Sequence, residues 1–432
     1  MAPPPPRRLP RRPRPAPSAD AARLLDELRS LADLTANERG AQRVAWTETW
    51  AKARAWEREL LAELPVTVEL DQAGNLWSTL AGERSEALLL GSHIDSVPNG
   101  GWLDGCLGVL GGLEVLRAIA AAGTPPLTVQ LVDWADEEGA RFGLSLMGSS
   151  AAAGKLAPSF VAGLRDAAGV RAEDALAAHG VEVARMPEAQ GRLADVVAYL
   201  ELHIEQGPVL ESRDLPLAVV TGTYGAERWA VRFLGQAAHA GSTPMDLRHD
   251  ALASAARLTL AVRELAARHG GVGTVGRIEA EPGIVTAVAG VATASVDQRH
   301  AEARGLAAAH AGARDAARTI AAEEGVGVEW SPLFRIHPIA FSERLVDAGA
   351  AIVSELQGEE VRLPSGPLHD AAHVADSGVP TAMLFVRSKR GLSHTREEDT
   401  DEADLELGLE ALHRLAQDVL AGAHEFASPA GR

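Results

Sequence analysis

Three apolar runs in this chain each end in carboxylates or imidazoles, and that recurrence constrains the fold more than any other feature. The first run, 87–90, reads as a buried strand and opens into a glycine-rich loop with His93, Asp95 and Asp104, ahead of a helix-period stretch over 107–119. The second, 127–134, runs straight into Asp136, Glu137 and Glu138. The third, 196–200, is followed by Glu201, His203, Glu205 and Gln206. In open α/β sheets, ligands bind outside the carboxyl ends of the strands. Three such ends in one register imply a shared site. A further strand over 381–386 precedes a loop, 388–400, that carries Ser393, His394, Glu397 and Glu398.

A chain of 432 residues is too long for one compact core, so two domains are expected. A formal net charge of −18 argues against nucleic acid and anionic membrane surfaces as partners. No apolar run approaches the ~18 residues that span a bilayer. The single cysteine, Cys106, excludes an internal disulfide and fits a reducing, cytoplasmic setting.

Residues 1–18 are Pro- and Arg-rich without an apolar h-region, which predicts a disordered tail and not a secretory signal. Asp20 is placed to cap a helix striped by Leu24, Leu25, Leu28, Leu31 and Leu34. Trp46, Trp50 and Trp56 are expected in a second, core-packed helix. Residues 66–70 and 76 onward read as a strand–turn–strand. Between 214 and 330 the pattern becomes strand 229–233, helix 250–267, strands 272–279 and 291–296, helix 306–322 and strand 326–330. That βαββαβ order is the ferredoxin-like split unit, which suggests an inserted domain. The expected division is a tail (1–18), a first catalytic part (19–213), the insert (214–330) and a second catalytic part (331–432).

The strand-end groups His93, Asp104, Glu138, His203 and His394 are three imidazoles and two carboxylates, a set suited to two zinc-class divalent ions. With Asp104 bridging, one ion takes His93, Asp104 and His203, and the other takes Asp104, Glu138 and His394. Each ion keeps an open position, as a catalytic site requires. Asp95 can orient the His93 imidazole from behind. Glu137, next to the ligand Glu138, can move a proton from water to a leaving nitrogen; supporting a ligand is its alternative role.

The motifs GSHIDSVPNGGWLDG (91–105), DEEGARFG (136–143), ELHIEQGPVLE (201–211), HAGSTPMDLRHDA (239–251), TVG (274–276), DQRH (297–300), SGPLHDAA (365–372) and GLSHTREEDT (391–400) occur in collinear order. Together they resemble the amidase (hydantoinase/carbamoylase) branch of the M20 dinuclear zinc hydrolases, which includes N-carbamoyl-L-amino acid hydrolases, β-ureidopropionases and allantoate amidohydrolases. The resemblance runs from about residue 20 to 425. It implies a zinc-peptidase-like α/β catalytic domain, with a mixed sheet flanked by helices, and makes the insert a lid and dimerisation domain of a homodimer. The same five ligands and the base Glu137 are implied, with two divalent ions, zinc or else manganese, cobalt or nickel. It also implies that His239 reaches a neighbouring subunit's site and stabilises the oxyanion, that Arg299 holds the substrate carboxylate, and that Gln206 contacts the amide or ureido group. The bland alternatives are a turn role for His239 and a surface ion pair for Arg299. Arg248 and Asp250 read as a structural pair near the insert's helix, and His369 with Asp370 as structural.

Two positions depart from the family pattern. Thr286 stands where an asparagine helps hold the substrate carboxylate, and Pro367-Leu368 replaces Ala-Gly in the SGAGHDA segment. Both touch substrate contacts and spare the ligand set. The expected activity is hydrolysis of a linear C–N bond in a small carboxylate substrate, preferably an N-carbamoyl L-α-amino acid. Allantoate or β-ureidopropionate hydrolysis, peptide hydrolysis and a non-catalytic binding role on the same scaffold are the rivals.

Overall fold

The structure, a computed structural model, describes residues 18–422. The Pro- and Arg-rich tail therefore lies, but for Ser18, outside the described residues. The chain divides into two compact units. One holds the chain up to Leu217, Ala351–Glu359 and the chain from Leu384 on; the other holds Ala218–Ala350 and Glu360–Met383. Among the described residues no helix is long and apolar enough to cross a membrane.

In the first unit the helix Ala21–Thr35 starts where the Asp20 carboxylate accepts the Arg23 N–H at 3.2 Å. Leu24, Leu25, Leu28 and Leu31 are buried, whereas Leu34 is 45% exposed. Leu34 falls outside the arc that Leu24, Leu28, Leu31 and Thr35 share at 3.6 residues per turn. The next helix, Glu48–Leu61, is capped by Thr47 and so excludes Trp46. Trp46 sits in a turn at φ 62° with its indole buried. Trp56 is only half-buried, on the same helix as the buried Trp50.

The sheet of this unit is mixed. Thr67–Leu70 pairs antiparallel with Leu76–Leu80, which pairs antiparallel with Thr128–Trp134. Ala87–His93 runs parallel to Thr128–Trp134 on one side and to Val196–Ile204 on the other. Residues 384–386 of the strand Thr381–Val386 add beyond Val196–Ile204. The register opposes His93 to Trp134 and Leu90 to Leu200, so the carboxyl ends of the parallel strands come out level. All nine residues of Val196–Ile204 are buried. That strand runs past the expected end at 200, carrying His203 on the strand itself. The helices Cys106–Ala122 and Glu402–Ala421 pack against the sheet and each other.

In the second unit four antiparallel strands lie in the order Val272–Glu281, Val291–His300, Gly225–Leu234, Gly327–Ile336. The helices Ala251–His269 and Ala303–Glu324 cover one face. Trp229, Val231, Phe233, Ala292, Ala294 and Val296 meet Leu258, Val262, Ala313 and Ile320 there. Strict alternation of burial along Val291–His300 is the period-2 signature of a sheet with one covered face. Asp250 caps the first of these helices by accepting the Leu252 and Ala253 N–H groups. It does not pair with Arg248, which donates to the carbonyls of Ala240 and Thr243. The unit also contains Ile339–Ala340 and Arg362–Ser365, which flank the strand Leu217–Thr223.

Candidate dinuclear metal centre

The first unit gathers every expected ligand at the level edge of its parallel strands. His93 closes its strand. Its Nδ1 lies 3.1 Å from the Asp95 carbonyl and 3.5 Å from the Asp95 carboxylate. Nδ1–H donates to that partner, so Nε2 carries the lone pair, facing Asp104 Oδ1 at 3.9 Å and Glu137 Oε2 at 3.8 Å. His203 does likewise: Nδ1 donates to the Ile204 carbonyl at 2.9 Å, and Nε2 lies 3.2 Å from Asp104 Oδ1. His394 points Nε2 at the other oxygen of Asp104, 3.3 Å away, and at Glu138 Oε2, 3.4 Å away.

The two oxygens of Asp104 thus face different groups of donors. His93, Asp104 and His203 form one group that could hold a metal ion, and Asp104, Glu138 and His394 form a second, with the candidate ligand atoms of each within 4.8 Å of one another. The arrangement is consistent with a dinuclear centre. The donor set fits the ions: Nε2 lone pairs are aimed inward, and among the described residues the carboxylates converge without an Arg or Lys as a hydrogen-bond or ion-pair partner of Asp104 or Glu138.

The electrostatics carry the same message. Burial, then repulsion from Asp104, pushes the Glu138 carboxyl up to about 7. The hydrogen bond to Asp104 holds the half-exposed His394 up at about 9. Burial alone would lower His93, but Glu137, Asp95 and Asp104 outweigh it and raise the ring well above its usual range. Crowded, buried carboxylates raise one another and the imidazoles beside them, which makes a field that favours a divalent cation.

The run of three acids is sorted by the backbone. Asp136 adopts φ 57° and turns away, its carboxylate accepting the Trp46 indole N–H at 2.7 Å. Burial, with Asp95 nearby, pushes it up to about 8. Glu137 and Glu138 turn into the site, their N–H groups donating to the two oxygens of Asp95 at 3.1 and 3.2 Å. Asp95 therefore orients the His93 ring and both glutamates. Gly105, at φ 66°, has no room for a side chain, because a Cβ would collide with the His93 ring.

The sequence points to Gln206 as a substrate contact but not to its bond with Asp104, nor to the supporting roles of Ser393, Glu398, Ser92, Tyr199 and Glu201. Gln206 Nε2 donates to Asp104 Oδ2 at 2.9 Å and to Ser393 Oγ at 3.1 Å. Ser393 Oγ also lies 3.1 Å from Asp104 Oδ2 and 2.9 Å from Glu398 Oε2. The other oxygen of Glu398 accepts the Leu103 and Asp104 N–H groups, both at 3.0 Å. Below His203, Ser92 and Tyr199 donate to the buried Glu201 at 2.8 and 3.0 Å. No motif spacing separates Glu398 from the exposed Glu397, which pairs with Arg390. Only the loop's path does.

The second unit holds the remaining expected site residues. His239 is exposed, with Nδ1 accepting the Gly241 and Ser242 N–H groups. The Thr286 carbonyl accepts the Ala240 N–H at 2.9 Å. Arg299 grips Asp297 with Nε and Nη2, at 2.9 and 3.1 Å, and donates to the Gly366 carbonyl with Nη1 at 3.1 Å. Arg228 shares Asp297 at 2.7 Å, and both arginines line a cavity of about 510 Å³ with Tyr224, Thr274 and Leu333.

The comparisons with known proteins agree with this geometry. Residues 89–418 match Peptidase family M20/M25/M40. The chain is 36% identical over 387 residues to the N-carbamoyl-L-amino acid amidohydrolase of Geobacillus stearothermophilus, covering 89% of this chain and 94% of that one. It is 33% identical to the allantoate amidohydrolase of Escherichia coli (strain K12) across 86% of this chain and 91% of that one. Among solved structures it superposes on an amidase of the hydantoinase/carbamoylase family from Burkholderia multivorans. The TM-score is 0.84 at 32% identity, covering 93% of this chain and 98% of that one.

Proposed function

We propose a substrate and a role for each site residue from one premise: the chain belongs to peptidase family M20/M25/M40, in its hydantoinase/carbamoylase branch, closely related to N-carbamoyl-amino-acid hydrolases. It is a metal-dependent amidohydrolase acting on C–N bonds other than peptide bonds. The reaction we assign is hydrolysis of an N-carbamoyl L-α-amino acid to the amino acid, CO2 and ammonia. The observation that carries this reading is the pair of donor groups sharing Asp104, with the Glu137 carboxylate beside them.

His93, Asp104 and His203 would hold one ion, and Asp104, Glu138 and His394 the other, zinc fitting both sets. Bound there, a pair of divalent ions supplies Lewis acidity toward a carbonyl oxygen and acidifies water. Glu137 takes a proton from the attacking water. As the C–N bond breaks, it delivers that proton to the leaving nitrogen, so the carboxylate is regenerated each turn. Gln206 commits its amide nitrogen to Asp104, which leaves Oε1, buried and without a partner, as an acceptor for a ureido N–H. In the second unit, the end edge of the Arg299 guanidinium receives the substrate carboxylate, and Thr286, beside the His239 turn, stands at the position of the asparagine that helps hold that carboxylate elsewhere in the family. His239 donates to the developing oxyanion in a neighbouring subunit.

The segment 214–330, carried on to Ile336 by the strand Gly327–Ile336, is, in this reading, a ferredoxin-like lid and dimerisation domain, and 19–213 with the rest of the chain to 432 the catalytic domain. Exposed Met245, Leu247, Ile284 and Val285 around the His239 turn support a homodimer, since a second copy would cover them. The charge balance and lone cysteine support a cytoplasmic setting without nucleic acid or membrane partners. The test is ammonia release by the metal-loaded enzyme from carbamoyl, formyl and acyl amino acids, allantoate, β-ureidopropionate and dipeptides. Carbamoyl L-amino acids are expected to turn over fastest, and Glu137→Gln to lose about 10²–10⁴-fold in kcat with metal retained. Preferred dipeptide cleavage would overturn the substrate assignment, and an active Glu137→Gln variant would remove Glu137 from the mechanism.

A further inference from the structure

The turn that carries His239 fixes which ring nitrogen bears the proton. Nδ1 accepts the Gly241 N–H at 3.1 Å and the Ser242 N–H at 3.2 Å. A nitrogen that accepts two backbone amides has no proton of its own, so the neutral ring is protonated at Nε2. A side chain at 241 would crowd the ring, because a Cβ there would stand 3.3 Å from its Cε1. The turn is tied further by Thr243, whose Oγ1 donates to the His239 carbonyl at 2.8 Å.

One side chain clamps the segment that supplies both amides. The half-buried Arg248 donates from Nη2 to the Ala240 carbonyl at 2.7 Å and from Nε to the Thr243 carbonyl at 3.1 Å. Ala240 and Thr243 bracket Gly241 and Ser242. The guanidinium therefore holds both ends of the two-residue stretch whose N–H groups rest on the ring. Its planar fork meets two carbonyls at once, which a lysine ammonium on a flexible stem does poorly.

We propose that Arg248 is a positioning residue: it keeps the Gly241 and Ser242 amides on Nδ1 and thereby keeps His239 an outward-facing Nε2–H donor. This rests on the assignment of His239 as the oxyanion donor. In this role the imidazole transfers no proton; it contributes an aimed N–H. Without Arg248 the segment relaxes, water competes for Nδ1, and the ring samples the tautomer that has no proton at Nε2.

The test uses the full-length, metal-loaded enzyme with Arg248→Ala, Arg248→Lys, His239→Gln and the Arg248→Ala/His239→Gln double variant. Arg248→Ala is expected to lower kcat about ten-fold with KM unchanged, the effect of a misplaced catalytic group. Arg248→Lys should fall between it and the native enzyme, and added methylguanidinium should restore Arg248→Ala. The ¹⁵N resonances of His239, assigned by their loss in His239→Gln, should change from an unprotonated Nδ1 to a tautomer mixture. On the His239→Gln background, Arg248→Ala should cost nothing more. An unchanged ¹⁵N pattern and kcat in Arg248→Ala, or an equal loss on both backgrounds, would overturn the proposal. If Arg248→Ala does not fold, Arg248→Lys carries the same two comparisons. A fully active His239→Gln would sink the oxyanion assignment instead, while the ¹⁵N pattern would still report whether Arg248 holds the ring.

Discussion

The donor groups around Asp104 and the turn around His239 are built in opposite ways. Around Asp104, residues separated by as many as 301 positions, His93 to His394, meet at one carboxylate. The two strand imidazoles are buried, with Nδ1 committed to a main-chain carbonyl. Around His239 the ring is exposed, and its partners lie two and three residues away. Its neighbour across the short strand pair, the 284–287 turn, carries Val285 at 98% exposure. The first arrangement depends on the whole sheet register; the second is set by local turn chemistry. A site of the first kind tolerates little change, while one of the second kind can be retuned residue by residue. The two positions expected to depart from the family pattern, Thr286 and Pro367-Leu368, fall in the second unit.

The largest effect that would test this contrast is metal removal. Chelation is expected to abolish turnover, and added zinc to restore it. Glu138, at about 7, and His394, at about 9, bind an ion only after losing a proton. Both values are raised, so the protonated fraction grows as pH falls through about 9 and then about 7, and affinity at that group falls with it. Titration of the metal-free enzyme should show proton release on binding. An affinity flat across this range would mean that the two residues do not ligate the ion.

A smaller effect is expected on the recognition side. Arg299→Lys keeps the charge but loses the fork that Asp297 and the Gly366 carbonyl hold in place. Losing one charged hydrogen bond is worth about 1.5–3 kcal/mol, so KM should rise roughly 10–100-fold with kcat little changed. Steady-state kinetics separate the two outcomes. A fall in kcat with KM constant would place Arg299 among the groups that act at the transition state and would blur the contrast.

The convergence of His93, Asp104, Glu138, His203 and His394 was legible in the sequence because each is a strand end or a loop residue beside one. The period-2 and continuous apolar patterns locate those ends before any contact is known. The second unit's strand and helix order was legible for the same reason. What stayed hidden depends on path more than pattern. Leu34 continues the apolar stripe in type, yet lies off the buried arc. Trp46 falls outside its helix because Thr47 takes the cap, which frees its indole to hold Asp136. Arg248 and Asp250 look like an ion pair two residues apart, but each has a better use in main-chain hydrogen bonding.

The smallest predicted effect concerns Glu398, the residue whose role was least legible. Ser393 has one hydroxyl proton, and it faces two carboxylates, Asp104 Oδ2 and Glu398 Oε2. Both contacts are favourable at once only if Glu398 donates to Ser393 Oγ while Ser393 donates to Asp104. Burial, with Asp104 nearby, pushes Glu398 up to about 7, which makes that protonated form accessible near neutrality. Glu398→Gln reproduces it: the carboxamide oxygen still accepts the Leu103 and Asp104 N–H groups, and its NH2 donates to Ser393. Metal affinity in that variant should stay near native. Glu398→Ala strands both amides and releases the loop that Gly101 allows to pass so close to the carboxylate. Loss of such an outer partner typically weakens metal binding by about 10-fold or more, readable by competition with a chelator. Equal affinities for the Gln and Ala variants would show that the carboxylate merely fills space beside Asp104.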